Sequence, residues 1–392
     1  MPVGQALSAA VVVAVISTPS KALLLLCLSI YLVDVLAAVL PEDRADVLFH
    51  SYDGGGVEIT GPSILVRKNF GDSVSATVNH YVDNVSSASI DVLTTASPYN
   101  ESRDENTIAV DYLHDRTIMT VALTESVESD FDASTFSINF SQDMFGDLTT
   151  VNMGFAFGDN VVGQTGNNNF NEEATSRNYR LSVSQIFTKN MIMAFAFETV
   201  SNEGYLNNPY RSVRYQDTSP NQYSFQPEVY PRTRSSNALA IRARYYLQHR
   251  AVIHGGYRIY GDSWGIDANT VELGYTLPFR TNWIFETSFR YYDQGKADFY
   301  SDLFPFQDAQ NFLARDKELS SFSSQTIGVG VSYEFDNQNW RTFKRGSLSF
   351  YYDYIQFDYD DFRDLTQPGS VGNEPLYGFD ANVIRAFASL WF

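Results

Sequence analysis

From about Ala45 to its last residue the chain is written in segments of about ten residues whose apolar and polar side chains alternate. That period of two constrains the fold more than any other feature, because successive side chains of a strand point to opposite faces. STFSINFS puts Phe136, Ile138 and Phe140 on one face and Thr135, Ser137, Asn139 and Ser141 on the other. TVNMGFAFG sets Val151, Met153, Phe155 and Phe157 against Asn152 and Gly154. MIMAFAF, ALAIRARYYL, TVELGYTL, WIFETSFRYY and TIGVGVSYEF continue the pattern, with Leu239, Ile241, Ala243, Tyr245 and Leu247 opposing Arg242 and Arg244. A soluble β-sandwich alternates in the same way. The polar face separates the two readings, since its small, hydroxylated and charged residues could not fill a dry barrel core but suit a wet interior.

Composition agrees with strands that face lipid. Aromatic residues make up 15% of the chain, as expected where rings collect at membrane interfaces. The mean hydropathy of −0.22 rules out a helical membrane protein beyond the N-terminus. A formal charge of −19 argues against nucleic acid, whose phosphates demand surplus Lys and Arg. The block KALLLLCLSIYLVDVLAA, Lys21 to Ala38, fits a secretory signal peptide, with a retained anchor helix as the alternative. Residues 1–38 therefore read as a signal segment and 39–392 as a single barrel domain. Because Cys27 lies within the signal block, disulfides, thiolate metal sites and cysteine nucleophiles are not expected in the mature chain.

The connections carry a second asymmetry. Tight ones fall at Gly71-Asp72, Asp115-Arg116, Thr188 to Asn190, His249-Arg250 and Phe279 to Asn282. Those between are mostly long and polar, the longest running roughly Glu203 to Ser235, Ala297 to Glu318 and Tyr359 to Leu376. Short turns alternating with long loops are the plan of an outer-membrane barrel with periplasmic turns and extracellular loops. The expected fold is all-β, a transmembrane antiparallel up-and-down β-barrel of about sixteen strands, with fourteen and eighteen as neighbouring solutions. RADVLFHSY supplies the first, ascending strand, and the last descends to a periplasmic terminus.

That last strand is NVIRAFASLWF, with Ile384, Ala386, Ala388, Leu390 and Phe392 in one apolar row. It resembles the assembly signal of outer-membrane barrels, which the barrel assembly machinery reads as a final aromatic with alternate apolar residues. Ala386, Ala388, Leu390 and Phe392 fill those places. A second stretch, DNVSSASIDVLTTASPYNESRDE, resembles the marker of an uncharacterised proteobacterial family of outer-membrane proteins, a domain of unknown function. The matching positions are Asp83, Val85, Ser86, Ala88, Ser89, Asp91, Val92, Ala96, Ser97, Pro98, Tyr99, Arg103 and Glu105, with Ser87 where glycine is expected. The resemblance implies a barrel and names no activity; outer-membrane lipid and lipopolysaccharide are the surroundings expected of such a barrel. By analogy it implies an envelope lipoprotein or a periplasmic flavin-transfer or thioredoxin-like protein as a redox or maturation partner. The stretch itself reads as a loop packed in the mouth or as a docking site.

If the apolar rows face lipid, the lumen receives Arg180, Arg242, Arg244, His254, Arg258, Glu272, Glu286, Arg290, Glu334 and Arg385. A turn of roughly three residues after Leu247 would set Arg242 opposite Arg258, with Glu272 and Glu286 as countercharges. Such a set either braces the wall or forms a constriction that selects solutes by sign. The acidic run YDYIQFDYDDFRD, Tyr352 to Asp364, reads as a solvated rim, lacking the ligand spacing of a dedicated calcium loop.

Enzymatic activity is not expected. His50, His80, His114, His249 and His254 are the only histidines, and none stands in a catalytic motif. His80 and Asp83 should point to opposite faces. No phosphate loop, paired-histidine zinc motif or haem-attachment motif occurs, so neither a cofactor nor a metal is expected. The functional expectation is a porin-like channel or transporter for a small solute, or a plugged barrel that acts as a scaffold, with an outer-membrane hydrolase as the third reading.

Overall fold

A computed structural model describes residues 39–87, 99–219, 222–336 and 343–392. The stretch read as a signal segment and Ala88, Ser89, Asp91 and Pro98 of the marker stretch lie outside the described residues. The strands are β1 Arg44–Gly54, β2 Val57–Phe70, β3 Val74–Ser87, β4 Tyr99–His114, β5 Thr117–Val127 and β6 Phe131–Met144. Next come β7 Thr149–Val162, β8 Glu172–Thr188, β9 Met191–Gly204, β10 Ser212–Gln216, β11 Tyr223–Pro227 and β12 Thr233–Tyr246. The last are β13 Val252–Asp262, β14 Asp267–Phe279, β15 Trp283–Gln294, β16 Phe322–Asp336, β17 Arg345–Arg363 and β18 Leu376–Trp391.

All but β10 and β11 close into one antiparallel barrel of sixteen strands, in which β1 pairs with β18 from Arg44↔Trp391 to Gly54↔Ala381. Closure leaves no strand edge, which a sheet in hydrocarbon requires because lipid offers no partner to a bare N–H or C=O. The tight turns after β2, β4, β8, β12 and β14 gather at one end together with both ends of the described chain. Gly71 and Asp115 turn the chain there with φ of 73° and 52°, the left-handed region that lets two or three residues reverse a hairpin. At the opposite end the connections are less uniform than the sequence suggests, since 55–56, 128–130 and 263–266 are short.

The outer surface of the lower barrel is apolar. Along β14, Val271, Leu273, Tyr275, Leu277 and Phe279 face outward, a run of roughly 26 Å along the strand. That is the scale of the apolar band of outer-membrane barrels, and the protein is an outer-membrane barrel. Rings cluster at the lower edge, where Trp283 lies 4.8 Å from Tyr333. On the inner surface glycine makes room for larger neighbours. A Cβ on Gly330 would sit 2.4 Å from the ring of Tyr351, its cross-strand partner, so the tyrosine lies flat on the wall.

Toward the extracellular end the polarity inverts. Ile355, Phe357 and Tyr359 of β17 point inward and are buried, while Asp358 and Asp360 point out and are exposed. Tyr52, Val57, Ile59, Val85, Ala381 and Val383 join them in one hydrophobic cluster with Tyr230, Phe299, Tyr300, Ala314 and Leu319 from the long loops. The upper barrel is thus built like a soluble β-sheet, dry inside and polar outside, with its loops as the core. The acidic run divides accordingly: Asp358 and Asp360 are solvated, but Asp353 is buried inside the barrel.

Closure predicts heat-modifiable migration. Unboiled protein in dodecyl sulfate should run at a different gel position from boiled protein, because no edge is available for the detergent to unzip.

Candidate functional site

Charged lumen residues arise where an outward apolar row forces its neighbours inward. Phe195 and Phe197 face lipid, so Glu198 faces the lumen, where it is 4% exposed. It binds Arg180 Nε at 3.0 Å and Asn178 Nδ2 at 2.9 Å and lies 3.7 Å from Arg258. Glu272 pairs with Arg290 at 3.7 Å. Arg242 forms no ion pair with the described residues, and Arg244 stands directly across from His254. These residues make an arginine-rich arc on β8, β9 and β12 to β15.

The expected opposition of Arg242 and Arg258 is not found. Leu247 N–H bonds the carbonyl of Ala251 at 2.8 Å and closes the turn, which sets Arg242 across from Gly256 and Arg258 across from Ala240. The register is two residues out, so both side chains keep their inward face. Glu272 sits beyond Gly256 and serves Arg290, and Glu286 lies against Tyr351 and Arg385 instead. Glu334 is near the periplasmic end beside Arg345, away from the arginine arc.

Two buried clusters continue the charge around the barrel. Arg385 Nη2 donates to Asp353 Oδ2 at 2.6 Å, with its guanidinium 5.3 Å from the centre of the Tyr351 ring. Asp83 accepts from His50 Nε2 at 2.7 Å and from Arg103 Nη2 at 2.6 Å, and Tyr81 stacks on His50 at 5.0 Å. This buried histidine–aspartate pair is braced by an arginine and a tyrosine; His80, as expected, points outward to Asn106. Asp83, Val85, Arg103 and Glu105 therefore belong to the inner wall, Ser86 faces outward, and Asp83↔Arg103 and Ser87↔Tyr99 are hairpin pairs. Those parts of the marker stretch are barrel wall rather than a free loop.

The remaining arc, β5 to β7, presents Thr124, Thr135, Ser137, Asn139 and Gly154 to the lumen. A cavity of about 180 Å³ lies against it, bounded by Arg103 and Glu105 on one side and Arg180 on the other. Higher up, Glu101, Glu128 and Asp130 bring carboxylate oxygens within 4.8 Å of one another, the described residues' one group with metal-ligand spacing. Ser129 already bonds Glu101 at 2.7 Å, and Tyr210 bonds Asp130.

The outer mouth is bridged by loops. Residues 205–219 and 222–232 follow β9, and the first of them reach the connections after β5 and β7, where Tyr210 meets Asp130 and Gln164 Nε2 bonds the Pro209 carbonyl at 3.2 Å. On the other side they join 295–321, with Val229 and Leu313 exchanging backbone bonds of 2.9 and 2.8 Å. The β5–β6 and β15–β16 connections stand eight strands apart in the ring of sixteen, so the bridge spans the full mouth. Arg214, fully buried, ties it together by bonding Asp302 and, at 2.7 Å, Glu374.

At the other end, Ala386, Ala388 and Leu390 lie on the outward face of β18. Phe392 N–H bonds the Asp43 carbonyl at 3.2 Å, and its ring takes Lys68 Nζ at 5.1 Å.

Burial ranks the ion pairs. Arg385→Gln leaves Asp353 enclosed without its cation and should cost on the order of 3–5 kcal/mol. Arg290→Gln breaks a half-exposed pair and should cost under about 1 kcal/mol. Guanidinium unfolding midpoints of the two variants in detergent compare them directly.

Among curated protein sequences, none matches the chain. Solved structures resemble it at low identity. A loop L8 deletion mutant of OmpT, an outer membrane protein of Vibrio cholerae, is 8% identical over 90% of this chain and 98% of that one, with a TM-score of 0.43. A bacterial polysaccharide outer membrane secretin is 7% identical over 89% and 98%, with a TM-score of 0.48. The siderophore receptor PirA from Pseudomonas aeruginosa is 11% identical over 90% of this chain and 64% of that one, at 0.43. A family model described as "Protein of unknown function (DUF3570)" matches residues 168–389, beginning after the marker stretch. The match takes in more than half of the chain, from the β7–β8 connection almost to the last residue, and the chain belongs to that family.

Proposed function

We propose that the barrel is a porin-like channel, without enzymatic activity, that passes a small anionic solute between the arginine arc and the hydroxyl-lined arc. The observation that carries this reading is incomplete neutralisation of the arginine arc. Arg242, on the inner face of β12, has no ion pair among the described residues, and Arg258 comes no closer than 3.7 Å to Glu198. A wall braced only for stability would match its charges, whereas surplus arginine in a chain of net charge −19 raises the local concentration of anions.

The bridged mouth favours a second reading, a plugged barrel that acts as a scaffold for an envelope lipoprotein or a periplasmic redox partner. Conductance in a planar bilayer separates the two. A channel should show open steps whose reversal potential in a salt gradient reports anion preference. Arg242→Gln breaks no ion pair, so it should reduce that preference about twofold while leaving the unfolding midpoint unchanged. A silent barrel that co-purifies with an envelope protein would favour the scaffold.

Assembly through the barrel machinery belongs to the same reading. Burying one terminal ring contributes only about 1.5–3 kcal/mol, so deleting Phe392 should lower the amount inserted while inserted molecules stay nearly normal. Insertion at the wild-type rate would remove the signal role.

A further inference from the structure

The geometry points to a lid: the β9–β12 connection (205–219 and 222–232) and loop 295–321 are held across the mouth by a carboxyl latch at Glu228, which is tight in acid and loosens as pH rises. The inference rests on the channel reading for its consequence but not for its test.

Glu228 is wholly enclosed where the two loops meet. Its Oε1 accepts the backbone N–H of Arg315 at 2.7 Å, and its Oε2 is 2.6 Å from the Tyr230 hydroxyl. Charged groups face it from both loops. Asp316 faces it from the second loop, and Arg211, from the start of the first, is bonded to Asp316 and lies 3.9 Å from Glu318. The Arg315 guanidinium is committed to Asp302 at 2.9 Å and to the Arg363 carbonyl. Lys317 is buried in the same turn. Ionised Glu228 would therefore share Arg211 with two other carboxylates inside a closed core, whereas neutral Glu228 keeps both hydrogen bonds without the repulsion.

Burial first, and Asp316 second, push the Glu228 carboxyl up to about 7, from an ordinary value of 4.5. A folded value above the unfolded one stabilises the protonated, latched form. That contribution is complete below about 4.5 and is lost as pH rises through about 7. The latch lies outside the membrane span, where the medium sets its protonation.

The test is hydrogen exchange of the full-length protein in lipid vesicles at pH 5.5 and pH 8, corrected for intrinsic rates, read at the Val229, Leu313 and Arg315 amides. Protection should fall about tenfold at pH 8 in the wild type. Glu228→Gln, a neutral mimic that keeps an acceptor for Arg315, should stay protected at both. If that variant does not insert, Tyr230→Phe removes a hydrogen bond to the ionised carboxylate and should move the loss of protection to higher pH. Wild-type protection that ignores pH, a Glu228→Gln profile that follows it, or a Tyr230→Phe transition that stays in place would each overturn the latch. Loss of protection at pH 8 together with a bilayer silent at both pH values would keep the latch and overturn the channel reading.

Discussion

Every feature of this molecule depends on one restriction: in hydrocarbon a strand's N–H and C=O groups can be satisfied only by another strand. The pairing of β1 with β18 is where that condition is met, because it turns an open sheet with two bare edges into a ring without any. Once the ring is closed, one face of each strand must meet lipid and the other is free to be wet. The alternation of the sequence, the inward arginines and the outward aromatics are all consequences of that division.

The same chain solves a different problem above the membrane. There the outer face meets water and the inner face can be dry, so the alternation continues with its sense reversed. Tyr351 and Asp353 belong to the polar inner wall, and Ile355, Phe357 and Tyr359, on the same face a few residues on, belong to a packed core. The loops complete that core, which places folded chain across the mouth of a barrel whose lower interior remains polar. A polar interior and a folded cover thus coexist in one domain, with inward arginines such as Arg242 and Arg258 below and the enclosed carboxyl of Glu228 above.

The barrel was legible from the sequence because period-two alternation and tight turns are local signals, repeated strand after strand. Glu198 was legible too, since Phe195 and Phe197 facing out leave it only the lumen. Asp353 was hidden for a physical reason: YYDYIQFDY carries aromatics on both faces, so neither alternation nor composition says which way its acids point. The loop cover left no local trace, because Arg214 and Glu374 are 160 residues apart and meet only in the folded chain. The offset of Arg242 against Arg258 shows the same limit, since parity fixes the face and only the closed turn fixes the partner.

The most direct measurement of the account is collision accessibility of spin labels placed singly along the outward face of β17, at Leu348, Phe350, Tyr354, Asp358 and Asp360, with the protein in lipid vesicles. The account predicts that labels at Leu348 and Phe350 meet oxygen dissolved in lipid and those at Asp358 and Asp360 meet a water-soluble nickel complex, with the crossover just above Tyr354. Uniform lipid exposure along the strand, or water exposure at Phe350, would contradict it.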